Sequence, residues 1–249
     1  MKRYMKRLIW LLAIRPLRYI SYRITVVGHD IQPQWASDSS SNSLMNALRE
    51  RAVESSAAYV EKNLDNALLF ERREDLWKYA LSKCTQDGIY IEFGVYLGYS
   101  VNYLAGLVSE QDTTIYGFDS FEGLMEDYPG TGHTAGNLDL GGVLPKVLPN
   151  VTLVDGWFHE TLPTFLSCHS GQFSFVHFDA DTYEATTVAL ELSKERITSG
   201  TIAVFDEYLC LVNWNTGGEY RAWQEFSQKE SIDYSYIGFS GSQVAIKVL

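Results

Sequence analysis

The rhythm of hydrophobic and polar positions changes about a third of the way along the chain. From 44 to 84, charged residues are punctuated by Leu44, Leu48, Tyr59, Leu64, Leu68, Leu76, Trp77 and Ala80, a spacing that predicts two or three amphipathic helices. After Gly88, short runs rich in β-branched and aromatic residues take over, at 89–93, 114–118, 151–154, 173–178 and 201–205. Helical stretches, chiefly 100–109 and 183–194, separate them. This alternation predicts an α/β fold of parallel strands with helices on both faces, whose ligands sit beyond the carboxyl ends of the strands. The last two runs, 234–239 and 243–248, are joined only by SGS. So short a connection requires an antiparallel hairpin, because a parallel crossover needs a dozen or more residues.

The polar tract SDSSSNS at 37–43 is the expected linker. It divides the chain into an N-terminal extension at 1–36, N-terminal helices at 44–87 and a core at 88–249. No internal repeat is visible.

Charge modifies this picture more than composition does. The net charge is −11, yet residues 1–23 hold Lys2, Arg3, Lys6, Arg7, Arg15, Arg18 and Arg23 and no acid. The remaining residues carry 13 basic against 31 acidic side chains. An acidic body repels phosphate backbones, so nucleic acid is not the expected partner. The apolar run at 8–14 would span about 10 Å as a helix, against a hydrocarbon core of roughly 30 Å, and cannot cross a bilayer. Its apolar residues go right round the helical wheel, and no small-residue cleavage site follows them. Peripheral contact of residues 1–23 with a membrane surface, packing on the body and packing on a second subunit as a homodimer are the readings left open. Cys84, Cys168 and Cys210 are far apart and form no metal-binding or redox spacing, which favours a reducing, cytoplasmic setting.

The candidate chemistry lies at the strand ends: Glu92 with Gly94, Asp119, Asp155 with Gly156, Asp179 with Asp181, and Asp206 with Glu207. Acids cap helices, but this many on one edge would repel one another unless cations or hydroxyls met them. The turn after the first strand has Gly94 and Gly98, not the GxGxxG spacing that seats a pyrophosphate. With Asp119 placed to accept hydrogen bonds from ribose hydroxyls, a ligand with a ribose and no diphosphate fits, and S-adenosylmethionine is such a ligand. Asp179, Asp206 and Glu207 offer hard oxygen ligands suited to Mg²⁺. His177 is expected to share a strand face with Phe173, Phe175 and Asp179 as an interior histidine. Asp181 reads either as the N-cap of the helix at Tyr183 or as a general base.

The segments YIEFGVYLGYS, IYGFDSFEGL, VTLVDGWFHETLP, FVHFDADTYEATTVALE and GTIAVFDEY resemble, in order and spacing, the macrocin O-methyltransferase family. The resemblance covers roughly 88–249. It implies a Rossmann-like class I methyltransferase sheet and S-adenosylmethionine- and Mg²⁺-dependent methylation of a hydroxyl on a sugar-containing or other polyhydroxylated acceptor. Carried over by position, Glu92, Gly94, Gly98 and Ser100 belong to the first cofactor loop, Asp119 holds the ribose, and Ser120 and Phe121 adjoin the adenosine. Asp155, Gly156 and Trp157 flank the adenine end. Asp179, Asp206 and Glu207 match the metal ligands, and Asp181 matches the base. Many family members have paired aspartates where this chain has Asp206 and Glu207, so Glu207 departs from the pattern.

A 27-residue stretch at 124–150, containing DYPGTGHTAGNLDLGG, reads as a lid or as a disordered surface loop. In NWNTGGEYRAWQEF at 213–226, Trp214 is either a platform for an acceptor sugar or a buried aromatic. Two other functional classes remain open at this point. One is a nicotinamide-dependent oxidoreductase; the other is a non-catalytic interaction protein that keeps the fold and uses its basic head at a membrane or in an assembly.

Overall fold

The computed structural model describes residues 39–84, 87–109 and 113–249. The expected extension at 1–36, and with it the basic head, lies outside them. No helix among the described residues is long and apolar enough to cross a membrane.

Central parallel strands are buried on both faces, so they read as nearly continuous apolar runs. The strands are β1 (Leu68–Leu69), β2 (Ile89–Phe93), β3 (Ile115–Asp119), β4 (Val151–Asp155), β5 (Phe173–Phe178), β6 (Ile202–Phe205), β7 (Tyr234–Ser240) and β8 (Gln243–Val248). They form one sheet in the order β1-β7-β8-β6-β5-β2-β3-β4. Strands β2 to β6 are parallel, while β8 runs antiparallel to both β6 and β7, as the short SGS connection requires. The short edge strand β1 was not foreseen; it pairs parallel with β7 inside the region expected to hold two or three amphipathic helices. The chain leaves β2 toward β3 and β4 on one side and returns through β5 and β6 on the other. The crevice at the carboxyl ends of β2 and β5 is therefore the topological switch point of the sheet.

Among the described residues, six α-helices flank the sheet: α1 (Ser39–Asn63), α2 (Arg73–Leu81), α3 (Tyr99–Leu107), α4 (Phe158–Cys168), α5 (Tyr183–Ser193) and α6 (Gly218–Glu230). One core joins Phe93, Phe118, Phe165, Phe178, Phe205 and Trp223. The other joins Leu76, Trp77, Val101, Leu104, Phe175 and Val204 on the opposite face. The alternation of strand side chains makes this division, with one exception. The β2–β5 register shifts between Ile89 and Tyr90, so Phe173 enters the first core and Phe175 the second. The expectation that both share a face with His177 fails for Phe173 because of that irregularity.

The expected linker at 37–43 is helical from Ser39 onward. It holds no Gly or Pro, and serine lowers helix stability only by tenths of a kcal/mol relative to alanine, so the tract does not break α1. Helix α1 is fastened to the loop after β6: Ser56 Oγ accepts from Cys210 N at 2.8 Å, and Ser55 Oγ accepts from Trp214 Nε1 at 2.9 Å. Trp214 is thus buried and edge-on to Tyr59 and Tyr220, and the reading of it as a sugar platform is set aside.

Trp223 is fully buried against Phe205, Phe226 and Tyr234. Trp223→Ala should cost about 3–5 kcal/mol, read as a lower midpoint of urea unfolding at unchanged slope.

Candidate active site

The turn after β2 is shaped by one aspartate. Asp119 Oδ2 accepts from Val95 N at 2.9 Å and Tyr96 N at 2.8 Å, and its Oδ1 accepts from Phe121 N at 2.7 Å. These bonds close the 94–98 loop onto the end of β3. The loop also needs glycine at 94, where φ is +92° and a Cβ would stand 1.7 Å from Asp179 O. Gly94 therefore lets the ends of β2 and β5 touch, and Asp179 N donates to Phe93 O at 2.8 Å across the same junction.

Below this loop Glu92 is fully buried, with its Oε1 accepting from Ser100 Oγ at 2.6 Å. His177 lies beside it, with Nδ1 3.6 Å from Glu92 Oε2 and Nε2 3.7 Å from Asp206 Oδ1. Burial opposes a charged imidazole, but the two flanking carboxylates outweigh it and push His177 well above its ordinary value. Asp206 is the complement: despite its own burial, His177 holds it below the usual carboxylate range. Asp206 Oδ1 also accepts from Gln243 Nε2.

The neighbouring Asp179 and Glu207 are less fully compensated. Asp179, Asp206 and Glu207 place carboxylate oxygens within 4.8 Å of one another. Burial, then the charge of Asp206, raises both Asp179 and Glu207 well above normal, and Glu207 Oε2 is buried without a partner. Asp181 is pushed up to about 7 by burial first and then by Asp206 and Asp119. Oxygens bound to Mg²⁺ at about 2.1 Å are at most roughly 4.2 Å apart, so this hard-oxygen set fits a divalent cation with a modest inward movement. Asp181 is not a helix cap. Thr182 takes that place, accepting from Ala185 N, and Asp181 sits just before it with φ 63°. A non-glycine residue held at positive φ is strained backbone, and here it belongs to a side chain that lines the cavity.

A cavity of about 670 Å³ opens at the switch point. Of the expected residues, Gly94, Ser100, Asp119, Ser120, Trp157, Asp179 and Asp181 line it. Asp206 and Glu207 stand with Asp179 in the acid cluster, and Glu92 lies under the loop. Gly98 is the N-terminal residue before α3 at φ 82°, packed beside Asn102 and Pro145. Gly156 ties the end of β4 to β3 by donating to Asp119 O, and Asp155 pairs with Asp119 in the strand register. The cavity lining includes none of Gly98, Asp155, Gly156 and Phe121. Phe121 differs most from its expected place beside an adenosine, because its side chain is buried in the second core.

The 124–150 stretch is a series of hydrogen-bonded turns, so the disordered-loop reading does not hold. Leu124 N donates to Asn137 O, Leu140 N to Phe121 O and Leu148 N to Asn102 Oδ1. Its Glu126 accepts from Thr182 Oγ1, and Gly130 fits against Val212 O, where a Cβ would come within 2.2 Å. Leu124, Met125, Glu126 and Leu138 from this strap line the cavity. Tyr128 is buried, with its hydroxyl unpartnered.

The strand-end reading missed Glu219 and Arg73. Glu219 is fully buried at the start of α6; its Oε1 accepts from Ala180 N at 3.3 Å and its Oε2 from Glu207 N at 3.0 Å. It thereby ties together the segments after β5 and β6, and burial raises it to about 8. A signal existed, because Glu219 falls on the same helical stripe as Ala222, Trp223 and Phe226. Arg73 likewise shares a stripe with Leu76, Trp77 and Ala80, and it lines the cavity.

A family model described as a methyltransferase domain matches residues 91–208, from the middle of β2 through β6 to Tyr208. The fold is that of a class I methyltransferase. The calicheamicin methyltransferase CalS11 superposes with a TM-score of 0.58 at 21% identity, covering 88% of this chain and 98% of that one. The O-methyltransferase NovP does so with a TM-score of 0.53 at 19% identity, covering 70% and 78%. A curated relative is the 8-demethyl-8-(2,3-dimethoxy-alpha-L-rhamnosyl)-tetracenomycin-C 4'-O-methyltransferase of Streptomyces olivaceus. It is 28% identical over 160 residues, which is 55% of this chain. The match spans 60% of that relative's length. These likenesses agree with the resemblance read from the sequence.

Mutual repulsion in the acid cluster leads to a binding prediction. Mg²⁺ added at about 100 times its dissociation constant should stabilise the protein by about 2.7 kcal/mol, raising Tm by several degrees. Asp179→Asn should lose this Mg²⁺ response while leaving the metal-free Tm equal or higher, as differential scanning calorimetry would show.

Proposed function

We propose that the protein transfers the methyl group of S-adenosylmethionine to a hydroxyl of a sugar-containing small molecule, with Mg²⁺ as its metal. The carrying observation is the position of Asp181. It lines the cavity beside Asp179, at the switch point where the Gly94 loop closes. A carboxylate so placed beside the cation set can take the proton of a hydroxyl presented there. The sugar acceptor class is supported by the name of the curated relative, a rhamnosyl O-methyltransferase.

The residues divide the work. Gly94, Tyr96, Ser100 and Trp157 form part of the wall against which the donor would lie, and Asp119 holds that wall in shape through three backbone N–H groups. Asp181 accepts the acceptor hydroxyl's proton as its oxygen bonds to the methyl carbon; the carbon–sulfur bond breaks and leaves its electron pair on sulfur. Asp179, Asp206 and Glu207 would hold Mg²⁺, which supplies positive charge that lowers the pKa of a nearby hydroxyl. His177 and Gln243 orient Asp206 from behind, and Glu219 fixes the backbone that presents Glu207. The strap excludes water on one side with Leu124, Met125 and Leu138. The nicotinamide reading gains nothing from this geometry, since the loop after β2 closes on Asp119 without a diphosphate cradle.

The test is methyl-transfer mass spectrometry across a panel of glycosylated acceptors, with Mg²⁺ and with chelator. Asp181→Asn should lower kcat at least about 100-fold while the Kd for S-adenosylmethionine changes less than about threefold. An Asn variant that turns over at the wild-type rate would remove the assignment of the base.

A further inference from the structure

The charged side chains lining the cavity are mostly carboxylates: Asp119, Glu126, Asp179, Asp181 and Glu184. Among the described residues that line the cavity, Arg73 is the one lysine or arginine. Its position on α2 is fixed by the buried stripe of Leu76, Trp77 and Ala80, which turns the same helical face toward the sheet. The guanidinium carbon stands 5.2 Å from the centre of the Trp77 ring and 5.0 Å from that of Tyr99. These cation–π contacts stabilise the guanidinium without supplying it a hydrogen-bond acceptor. The nearest carboxylate is Glu74, with Oε1 3.9 Å from Arg73 Nε, beyond hydrogen-bond reach. Glu74 is already engaged, accepting from the Tyr99 hydroxyl at 2.7 Å and from Arg72 Nε at 3.3 Å. Arg73 therefore presents an oriented fork, without a hydrogen-bond partner among the described residues, at the wall of a carboxylate-lined cavity.

We propose that Arg73 binds the α-carboxylate of the methyl donor. This rests on the reading of the cavity as a methyl-donor site and adds to it the group that recognises the amino-acid end. Location supports this. Tyr99, against which Arg73 packs, opens the helix that follows the Gly94–Gly98 loop, and Tyr96, Leu97, Tyr99 and Ser100 line the cavity alongside Arg73. Charge supports it as well. The donor's only anionic group at neutral pH is its carboxylate, which the acidic wall would repel at any other point of the lining. A planar guanidinium can take both oxygens of that carboxylate at once. Trp77 and Tyr99 hold the fork in place beforehand, so little side-chain entropy is lost on binding.

A phosphate on the acceptor would satisfy the same fork, and the experiment separates the two. Isothermal titration of wild type and Arg73→Gln is carried out with S-adenosylmethionine, with its decarboxylated form and with pyrophosphate. Wild type should bind S-adenosylmethionine more tightly than the decarboxylated form. Arg73→Gln should weaken the former about tenfold to a hundredfold, the loss of a charge-assisted pair, and leave the latter unchanged. Arg73→Lys, which keeps the charge and loses the fork, should fall between. Equal weakening of both donor forms would make Arg73 a structural residue and overturn the proposal. Weakened pyrophosphate binding with unchanged S-adenosylmethionine binding would overturn it in favour of an acceptor phosphate. Failure of wild type to bind either donor form would instead remove the methyl-donor reading of the cavity, and this assignment with it.

Discussion

Carboxylates buried together at one end of a parallel sheet are the constraint around which this molecule is arranged. Each must be matched by donors or a cation, because uncompensated charge in a dry environment is costly. The chain matches some of them itself. Asp119 receives three backbone N–H groups, Glu219 receives two, Glu92 has Ser100 and His177, and Asp206 has His177 and Gln243. Asp179 and Asp181 receive no hydrogen bond from the protein among the described residues, and neither does Glu207 Oε2. The acids with a full set of backbone donors, Asp119 and Glu219, are the ones that shape loops. Asp179, Asp181 and Glu207, assigned to the cation and the proton, lack such donors, and Asp206 joins the cation set with His177 and Gln243 behind it.

The scaffold accomplishes this through close approach. At the switch point, β2 and β5 are neighbours whose following segments diverge, which opens a crevice where backbone N–H groups are free to turn toward ligands or side chains. A Cβ at residue 94 would collide with the Asp179 carbonyl, so glycine there sets how near the first cofactor loop and the acid cluster can lie. On the far side of the sheet, Trp77 packs edge-on to His177 with ring centres 5.4 Å apart. The imidazole that balances Glu92 and Asp206 is therefore held by the same helix that carries Arg73. The N-terminal region is thus part of the site's electrostatics as well as a cover for the sheet.

Much of this was legible in the sequence because parallel strands announce themselves by apolar runs and end in residues that chemistry needs. The strand ends came out within a residue at Phe93, Phe205 and Val248, and the closing hairpin followed from the length of SGS alone. Features set by tertiary contacts were not legible. A serine tract carries no signal that a helix will run through it once α1 has a surface to grip at Cys210 and Trp214. The shift of register beside Ile89 moves Phe173 to the opposite face, and periodicity cannot reveal it. Glu219 and Arg73 lie between these extremes. Each is a charge on the apolar stripe of its helix, and that violation of pattern was visible before the structure supplied its reason.

The cavity wall is assembled from two sources, which bears on how one fold can change its acceptor. The Gly94 loop, Ser100, Asp119 and Arg73 form a wall tied to the sheet by backbone hydrogen bonds and by the buried stripe of α2. Facing residues come from the strap, through Leu124, Met125, Glu126 and Leu138, and from α5, through Glu184, Ala185 and Val188. The strap is held mainly by turn hydrogen bonds, by one bridge between Glu122 and Asp139 and by Glu126 on Thr182, so its cavity-lining side chains can vary without breaking the pairing of the sheet's main strands. Asp181 adjoins both, standing one residue before the Thr182 that anchors the strap and two after Asp179. A donor fixed by the rigid wall and an acceptor selected by the strap would then meet at the same carboxylate, whichever acceptor the strap admits.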